Sequence, residues 1–365
     1  MHSEQLRYFI GLKFIPGIGD IIAKNLIAYI GSAEGIFKEK KQNLLKIPKI
    51  GPQLADTILN SSTLKKVDEE IAFIERYNIK TLIYTEDNYP TRLKQCEDSP
   101  IILFIKGNVD FNSPKTIGIV GTRNATSYGK DMCRQTVSDI KLHNPIIISG
   151  LASGIDIYAH KAALENNLQT IAVLGHGLDT IYPAEHKSTA SQIANQGALV
   201  TEHCSKSIID KANFVKRNRI IAGLSDAVII VESGEKGGAL ITAEYACSYN
   251  RDILAFPGKS TDKYSIGCNN LIKTNKAALI TAVKDIEYQL NWEIQPKREK
   301  QKSLFVELSQ DETLILSILS KDSELNIDII SSRANLPMNK VSAILLSLEF
   351  NGLVKTLPGK LFTCI

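Results

Sequence analysis

Between residues 116 and 160 the chain alternates short apolar runs with longer polar stretches. Thr116–Val120 is too short for a helix and β-branched enough for a buried strand. It stops at Gly121-Thr122-Arg123, and a polar stretch from Ser127 to His143 follows with helical character. A second apolar run, Pro145–Ser149, ends on the glycine turn Gly150-Leu151-Ala152-Ser153-Gly154, after which the pattern is again helical. Strand, glycine turn, helix, strand, glycine turn, helix predicts a βαβ unit. Further apolar runs occur at Thr170–Leu174, Ala198–Thr201, Ala227–Val231, Asp252–Phe256 and Ala277–Thr281, with helical patterns such as Lys187–Gln196 and Leu240–Tyr249 between most of them. Runs nearly continuous in Val, Ile, Leu and Ala predict parallel strands buried on both faces. The fold class is therefore α/β, a doubly wound sheet. Upstream, Val67–Tyr77 reads as a helix, and Thr81–Tyr84 and Ile101–Ile105 as strands that lengthen the sheet at one edge.

The ends of the chain differ from this centre. The first 65 residues are helical in pattern and hold a degenerate repeat, Phe14-Ile-Pro-Gly-Ile-Gly-Asp20 and Ile47-Pro-Lys-Ile-Gly-Pro52, each followed by an apolar helical stripe. The repeat resembles the helix-hairpin-helix motif (a SAM-like helical domain), in which turn amides at a helix start grip a phosphate. Such hairpins also serve as packing units, and both roles stand open here. Residues 294–303 are polar and basic and read as a linker. Beyond it, Asp311–Leu319, Ile327–Ala334 and Asn339–Asn351 form three helical patterns, and Leu353–Leu357 with Lys360–Thr363 make a hairpin around Pro358-Gly359. That is the outline of a winged helix. Its third helix would enter a duplex groove, yet only Lys340 decorates the outer face, so protein binding or packing competes with duplex DNA binding. The expected domains are 1–65, 66–293 and 304–365, joined across the linker 294–303.

Composition narrows the setting. With 365 residues and 44% hydrophobic content the chain can bury a large core over two or three domains. Net charge is only +4, so any nucleic-acid surface is a local patch. Six scattered cysteines without a Cys-x-x-Cys pair fit reduced thiols, and no signal segment or long apolar run is present. A cytoplasmic protein without membrane contact is expected.

Candidate chemistry gathers at the strand ends. In open α/β sheets ligands bind beyond the carboxyl ends of the strands, where both glycine turns fall. Exposed turn amides, the positive end of the next helix and Arg123 suit a phosphate; the bland alternative is that these turns serve packing alone. There is no Gly-x-Gly-x-x-Gly after the first strand and no P-loop. Lys211-Ala-Asn-Phe214, beside Arg217 and Arg219, supplies the cations and the aromatic that a single-strand binder needs. Phe214 has a core reading as well, and Arg217 and Arg219 have one as ion-pair partners of Asp226 or Glu232. Asp156 and His160 lie four apart on a predicted helix face, but no metal-ligand spacing such as His-Glu-x-x-His occurs.

Six segments carry a resemblance. They are Ser149–His160, Val173–Pro183, Phe214–Asp226, Gly238–Ala243, Phe256–Gly258 and Gly267–Ile272. In this order they resemble the DNA-processing protein A family (DprA, also called Smf), and the resemblance spans the chain. It implies an extended Rossmann-like domain that binds single-stranded DNA, protects it and loads the RecA recombinase during natural transformation. It also implies a homodimer with no enzymatic activity and no cofactor. By the same resemblance Arg123, Lys211 and Phe214 form the pocket. Combined with the residue pattern, Arg123, Lys211, Phe214, Arg217 and Asn218 are the expected strand-binding side chains. The turns at Gly121, Thr122, Gly150, Gly154 and Gly238 are the expected phosphate holders. One departure stands out. The family pattern has Ser-Gly before Ala-Leu-Ile-Thr-Ala, whereas this chain has Gly237-Gly238. With Glu244 this is similar to the signature of nucleoside-monophosphate phosphoribohydrolases, which is the competing reading; the proline and the second Gly-Thr of that signature are absent.

Overall fold

The computed structural model describes residues 2–60, 63–292, 308–320, 324–357 and 361–364. It forms two compact units, Met1–Ile294 and Gln295–Ile365. The linker expected at 294–303 and the hairpin turn at Pro358-Gly359 lie outside the described residues.

Among the described residues the first unit contains one sheet of nine strands in the order β1-β2-β6-β5-β4-β3-β7-β8-β9. The strands are β1 Lys80–Ile83, β2 Ile102–Gly107, β3 Thr116–Val120, β4 Ile146–Ser149, β5 Thr170–Leu174, β6 Ala198–Thr201, β7 Ala227–Ile230, β8 Asp252–Ala255 and β9 Ala278–Leu279. Every residue of β3 to β7 is buried, because helices cover both faces. That double burial is why these strands read as continuous apolar runs. From β3 to β9 neighbouring pairs are parallel. The upstream strands do extend the sheet at one edge, with reversed direction: β2 pairs antiparallel with β6, and β1 with β2. From β3 the chain winds outward through β4, β5 and β6, then returns to β7 on the other side. The carboxyl end of β3 therefore lies at the topological switch point, where crevices open in such sheets.

The crossover helices are α8 Ser127–Asp139, α9 Ile155–Glu165, α10 Lys187–Gln196, α11 Lys211–Leu224, α12 Gly238–Ser248 and α13 Ile266–Lys273, and α14 Val283–Leu290 follows the last strand. Helix α8 stops before His143 because its last turn tightens into a 3₁₀ helix, Ile140–His143. The strand expected over Ala277–Thr281 shrinks to the two residues of β9, at the sheet edge.

Helices α1 His2–Phe14, α2 Asp20–Ile30, α3 Ala33–Lys38, α4 Lys41–Leu44, α5 Pro52–Leu59 and α6 Leu64–Arg76 precede the sheet, and a short α7, Thr91–Lys94, follows β1. The boundary expected at residue 65 does not separate two cores. Phe9, Leu12, Leu26 and Ile36 share one apolar cluster with Ile83, Ile102 and Phe104 of the sheet. The degenerate repeat is real in geometry. Gly17 and Lys49 occupy equivalent left-handed positions, φ 86° and 70°. Gly19 and Gly51 then enter α2 and α5 with nearly the same backbone angles, φ −88° and −87°. The two copies differ in what their helix starts meet. Asp20 of the first is buried and accepts a hydrogen bond from the Ile101 amide at 3.1 Å; Gly51 and Pro52 of the second are exposed.

The second unit has α15 Gln310–Leu319, α16 Ile327–Ala334 and α17 Met338–Phe350, with a three-stranded sheet β10-β12-β11. Here β11 is Val354–Leu357 and β12 is Leu361–Cys364; β10, Leu325–Asn326, is a strand that the sequence pattern did not reveal. Lys340 pairs with Asp311 at 2.6 Å, and α17 exposes Met338, Leu346 and Phe350. That apolar surface lacks the cations a groove-reading helix presents to phosphates. Among the described residues no helix is long and apolar enough to cross a membrane.

Candidate nucleic-acid interface

The carboxyl edge of the sheet brings several of the expected residues together. Helix α11 starts beside the end of β5, close enough that a β-carbon on Gly175 would lie 2.8 Å from Cδ1 of Phe214. Only glycine permits that approach. The Phe214 ring is partly exposed, and packs edge-on to His176 at 6.2 Å and against Tyr182 at 5.6 Å between centroids. Tyr182 is itself 50% exposed. Its backbone amide donates to Nε2 of the buried His176 at 3.3 Å, which ties the aromatic pair to the β5 end. Sequence reasoning missed Tyr182; the one available signal was an aromatic in a strand-end loop. Lys211, one turn before Phe214, is exposed at the first position of α11. Arg123 is exposed beyond the end of β3. It is two strands from β5, or roughly 10 Å at the usual strand spacing.

Arg217 was expected on this surface and is not there. It is 3% exposed, because three residues beyond Phe214 the helix face turns under the sheet edge. Its guanidinium donates to the carbonyl of Gly150 at 2.6 Å and to that of Val173. Nε donates to Oδ1 of Asn218 at 3.2 Å, and the Asn218 amide reaches the Gly238 carbonyl at 3.2 Å. Arg217 and Asn218 thus brace the ends of β4 and β5 and the start of α12 from within. Burial pulls the Arg217 guanidinium down to about 10; Asp156 opposes this, and the Arg123 charge adds to it.

Arg219 is a structural ion-pair residue, though not with the expected carboxylates. It donates to Glu202 at 2.7 Å and to Asp20 at 3.1 Å. Lys13 completes the cluster, 3.2 Å from Asp20 and 3.3 Å from Glu202. Asp226 instead holds Arg92 at 2.5 Å. Burial pushes the Asp20 carboxyl up, but Lys13, Arg219 and Lys216 overcome it and hold it well below the usual carboxylate range. The cluster fastens the helical region to α11.

The glycine turns also depart from the expectation that their amides face an incoming phosphate. Glu232 accepts from the Thr126 amide at 3.0 Å and its hydroxyl at 2.6 Å, so its carboxylate occupies the start of α8. The Thr122 amide donates to the Glu232 carbonyl at 2.8 Å. Asp156, buried within the first turn of α9, faces the amides of Ala152 and Gly150; burial raises its pKa, and Arg217 and those amides lower it. Asp210 caps α11 through the Ala212 amide at 3.2 Å. Three helix starts on this edge are therefore already met by the chain's own carboxylates, which a second anion would have to displace. The start of α12 at Gly237-Gly238 has no side-chain cap. Gly154 has a different duty: with φ +84°, a β-carbon there would lie 2.1 Å from the Thr122 carbonyl oxygen. It lets the turns after β3 and β4 lock together, through the Ile155 amide to the Thr122 carbonyl at 3.2 Å.

His160 and Asp156 do not form a surface pair. Both are buried, and His160 Nδ1 lies 2.7 Å from Thr170 Oγ1. Burial lowers the His160 pKa to about 3, and Arg217 and His186 add to the effect, so the ring is neutral at physiological pH. No group of three or more metal-ligating side chains occurs among the described residues. Glu244 is exposed on α12.

This geometry coincides with a known family. The model of DNA recombination-mediator protein A matches residues 80–291, and the DprA winged-helix model matches residues 299–360. The chain belongs to the DNA recombination-mediator protein A family. Protein Smf of Synechocystis is 32% identical over 285 residues, spanning 77% of this chain and 72% of that protein. The X-ray structure of DprA from Streptococcus pneumoniae superposes with a TM-score of 0.68 at 31% identity, covering 78% of this chain and 97% of that one. A structure of DNA processing protein A from Helicobacter pylori, which concerns its single-stranded DNA binding mode, gives 0.53 at 28% identity over 58% of this chain and 95% of that one. In this DprA-family chain the matched central segment contains every expected site residue from Gly121 to Gly238.

Proposed function

We propose that this chain binds single-stranded DNA along the carboxyl edge of its sheet. As a cytoplasmic homodimer it then protects the strand and loads the RecA recombinase on it during natural transformation. The observation that carries the reading is the Phe214–Tyr182 pair, partly exposed at the β5 end, together with exposed Lys211 at the start of α11 and exposed Arg123 beyond β3. Bases stack on such a platform regardless of sequence, while cations track the backbone. Family membership, and the single-stranded DNA binding mode described for the Helicobacter pylori relative, support the same reading. Phosphate contacts fall to Arg123 and Lys211 and to the uncapped start of α12 at Gly238. Arg217, Asn218, Gly121, Thr122, Gly150 and Gly154 act from behind by holding the edge in shape. The reading involves no chemical step and no cofactor.

Fluorescence anisotropy of a labelled oligothymidine at several salt concentrations tests binding. RecA filament assembly on an oligonucleotide coated with a single-strand-binding protein tests the mediator step. Saturable binding, and faster assembly only with the intact protein, are expected. No binding at low salt would refute the first part; binding without accelerated assembly would refute the second.

A further inference from the structure

The aromatic pair beyond the end of β5 is not the end of the edge. Beyond β3 lie β7 and β8, and the loops leaving them are joined: the Ser233 amide donates to the Tyr264 carbonyl at 2.7 Å, and the Gly267 amide to the Ser233 carbonyl at 2.9 Å. Lys236, Lys259 and Lys263 are exposed on these loops. Tyr128, in the first turn of α8 and five residues after Arg123, reaches the second of these loops. It is 41% exposed, and its hydroxyl donates to the Pro257 carbonyl at 2.8 Å. That bond anchors the oxygen end of the ring across the end of β7 while much of the side chain stays in solvent.

We infer that Tyr128 is a second base-stacking subsite, so that one strand runs from the Phe214–Tyr182 pair past Arg123 to Tyr128 and the β8 loop. The inference rests on the single-strand reading above. A fixed, solvent-facing aromatic beside cations is what a sequence-tolerant single-strand track repeats along its length. From β5 to β7, whose end the Tyr128 ring crosses, there are three strand spacings, about 14 Å, too far for one nucleotide to engage both aromatics. Glu235 and Asp262 are also exposed on these loops and offset two of the three lysines. The subsite therefore works by stacking more than by charge.

Oligothymidines of about 4 and about 16 nucleotides, the limits of what single-strand folds cover, separate the two subsites. Y128A should bind the longer strand about 5- to 150-fold more weakly than wild type, and bind the shorter one within about two-fold, because that strand is held at Phe214. The salt slope should stay at the wild-type value, since stacking releases no counterions. Y128F keeps the ring and loses only the hydrogen bond to Pro257, and it should bind the longer strand nearly as wild type does. Melting curves of both variants report on folding. Wild-type affinity of Y128A for the longer strand would overturn the second subsite and leave the Phe214 site standing. So would Y128F weakened as much as Y128A, because the anchor to Pro257 would then matter rather than the ring. A wild-type protein that binds neither length overturns both readings.

Discussion

Phe214 offers the sharpest test of the proposed site, because its surroundings separate stacking from packing. One part of the ring is pressed on Gly175 and meets His176 and Tyr182, while the side chain remains partly exposed. Removing a fully buried phenylalanine costs about 3–5 kcal/mol of stability; with partial exposure, about half of that is expected for Phe214→Ala. If a base stacks on the ring, the same change removes about 1–3 kcal/mol of single-strand affinity, about 5- to 150-fold in Kd. Stacking involves no counterion release, so a plot of log affinity against log salt should drop without changing slope. Phe214→Trp and Phe214→Tyr should keep most of the binding. Phe214→Leu should keep stability but not binding. Anisotropy titrations at four salt concentrations and thermal melts on these four variants give both quantities on the same samples. Losses of folding and binding in proportion, with Leu the best replacement, would refute stacking and make Phe214 a packing residue.

Further outcomes follow from other parts of the edge. Arg123→Ala and Lys211→Ala should each reduce the salt slope of oligothymidine binding by about 0.7 for every phosphate the side chain neutralises, with little change in melting, since both side chains are exposed; unchanged slopes would remove them from the track. Asp20→Asn leaves Arg219 and Lys13 short of a buried partner, and should cost about 3–5 kcal/mol in chemical denaturation. Because the Asp20 pKa falls on folding from an ordinary value near 3.8, its contribution is complete above that value and is lost as pH drops below it. The variant should accordingly lose stability less steeply than wild type in acid, and equal acid sensitivity would contradict the role given to the cluster. Glu244→Gln should leave strand affinity within a few-fold, and neither protein should release free base from a nucleoside monophosphate in a chromatographic assay; base release abolished by the substitution would replace the binding function with hydrolysis.

Much of the fold was legible in the residues themselves. Strands covered on both faces must be apolar throughout, so Thr116–Val120, Thr170–Leu174 and Ala198–Thr201 stand out at their observed limits. The antiparallel β2, next to the edge strand β1, and the two-residue β9 leave weaker traces, because their limits are set by what pairs with them. The repeat at Gly19 and Gly51 was readable for a similar reason: its backbone turn is a local property of the few residues that make it.

The site was legible as a set of residue types rather than as an arrangement. Sequence alone placed Arg123 in the turn after a strand and grouped Lys211 with Phe214 by residue type and by resemblance, and tertiary structure left all three at least partly exposed at the sheet edge. It decided the opposite for Arg217 and Arg219. Their position along α11 does not show that the helix is buried all round from Arg217 to Leu224, so that Arg217 turns inward to carbonyls and Arg219, on the opposite side, to carboxylates. Helix starts that look ready for phosphate are met by Glu232, 106 residues from Thr126, and the clamp on Arg219 includes Asp20, 199 residues away. Such pairings are set by chain topology and burial, neither of which leaves a short-range pattern. A buried charge takes the partner that folding brings within reach, and only the folded chain determines which partner that is.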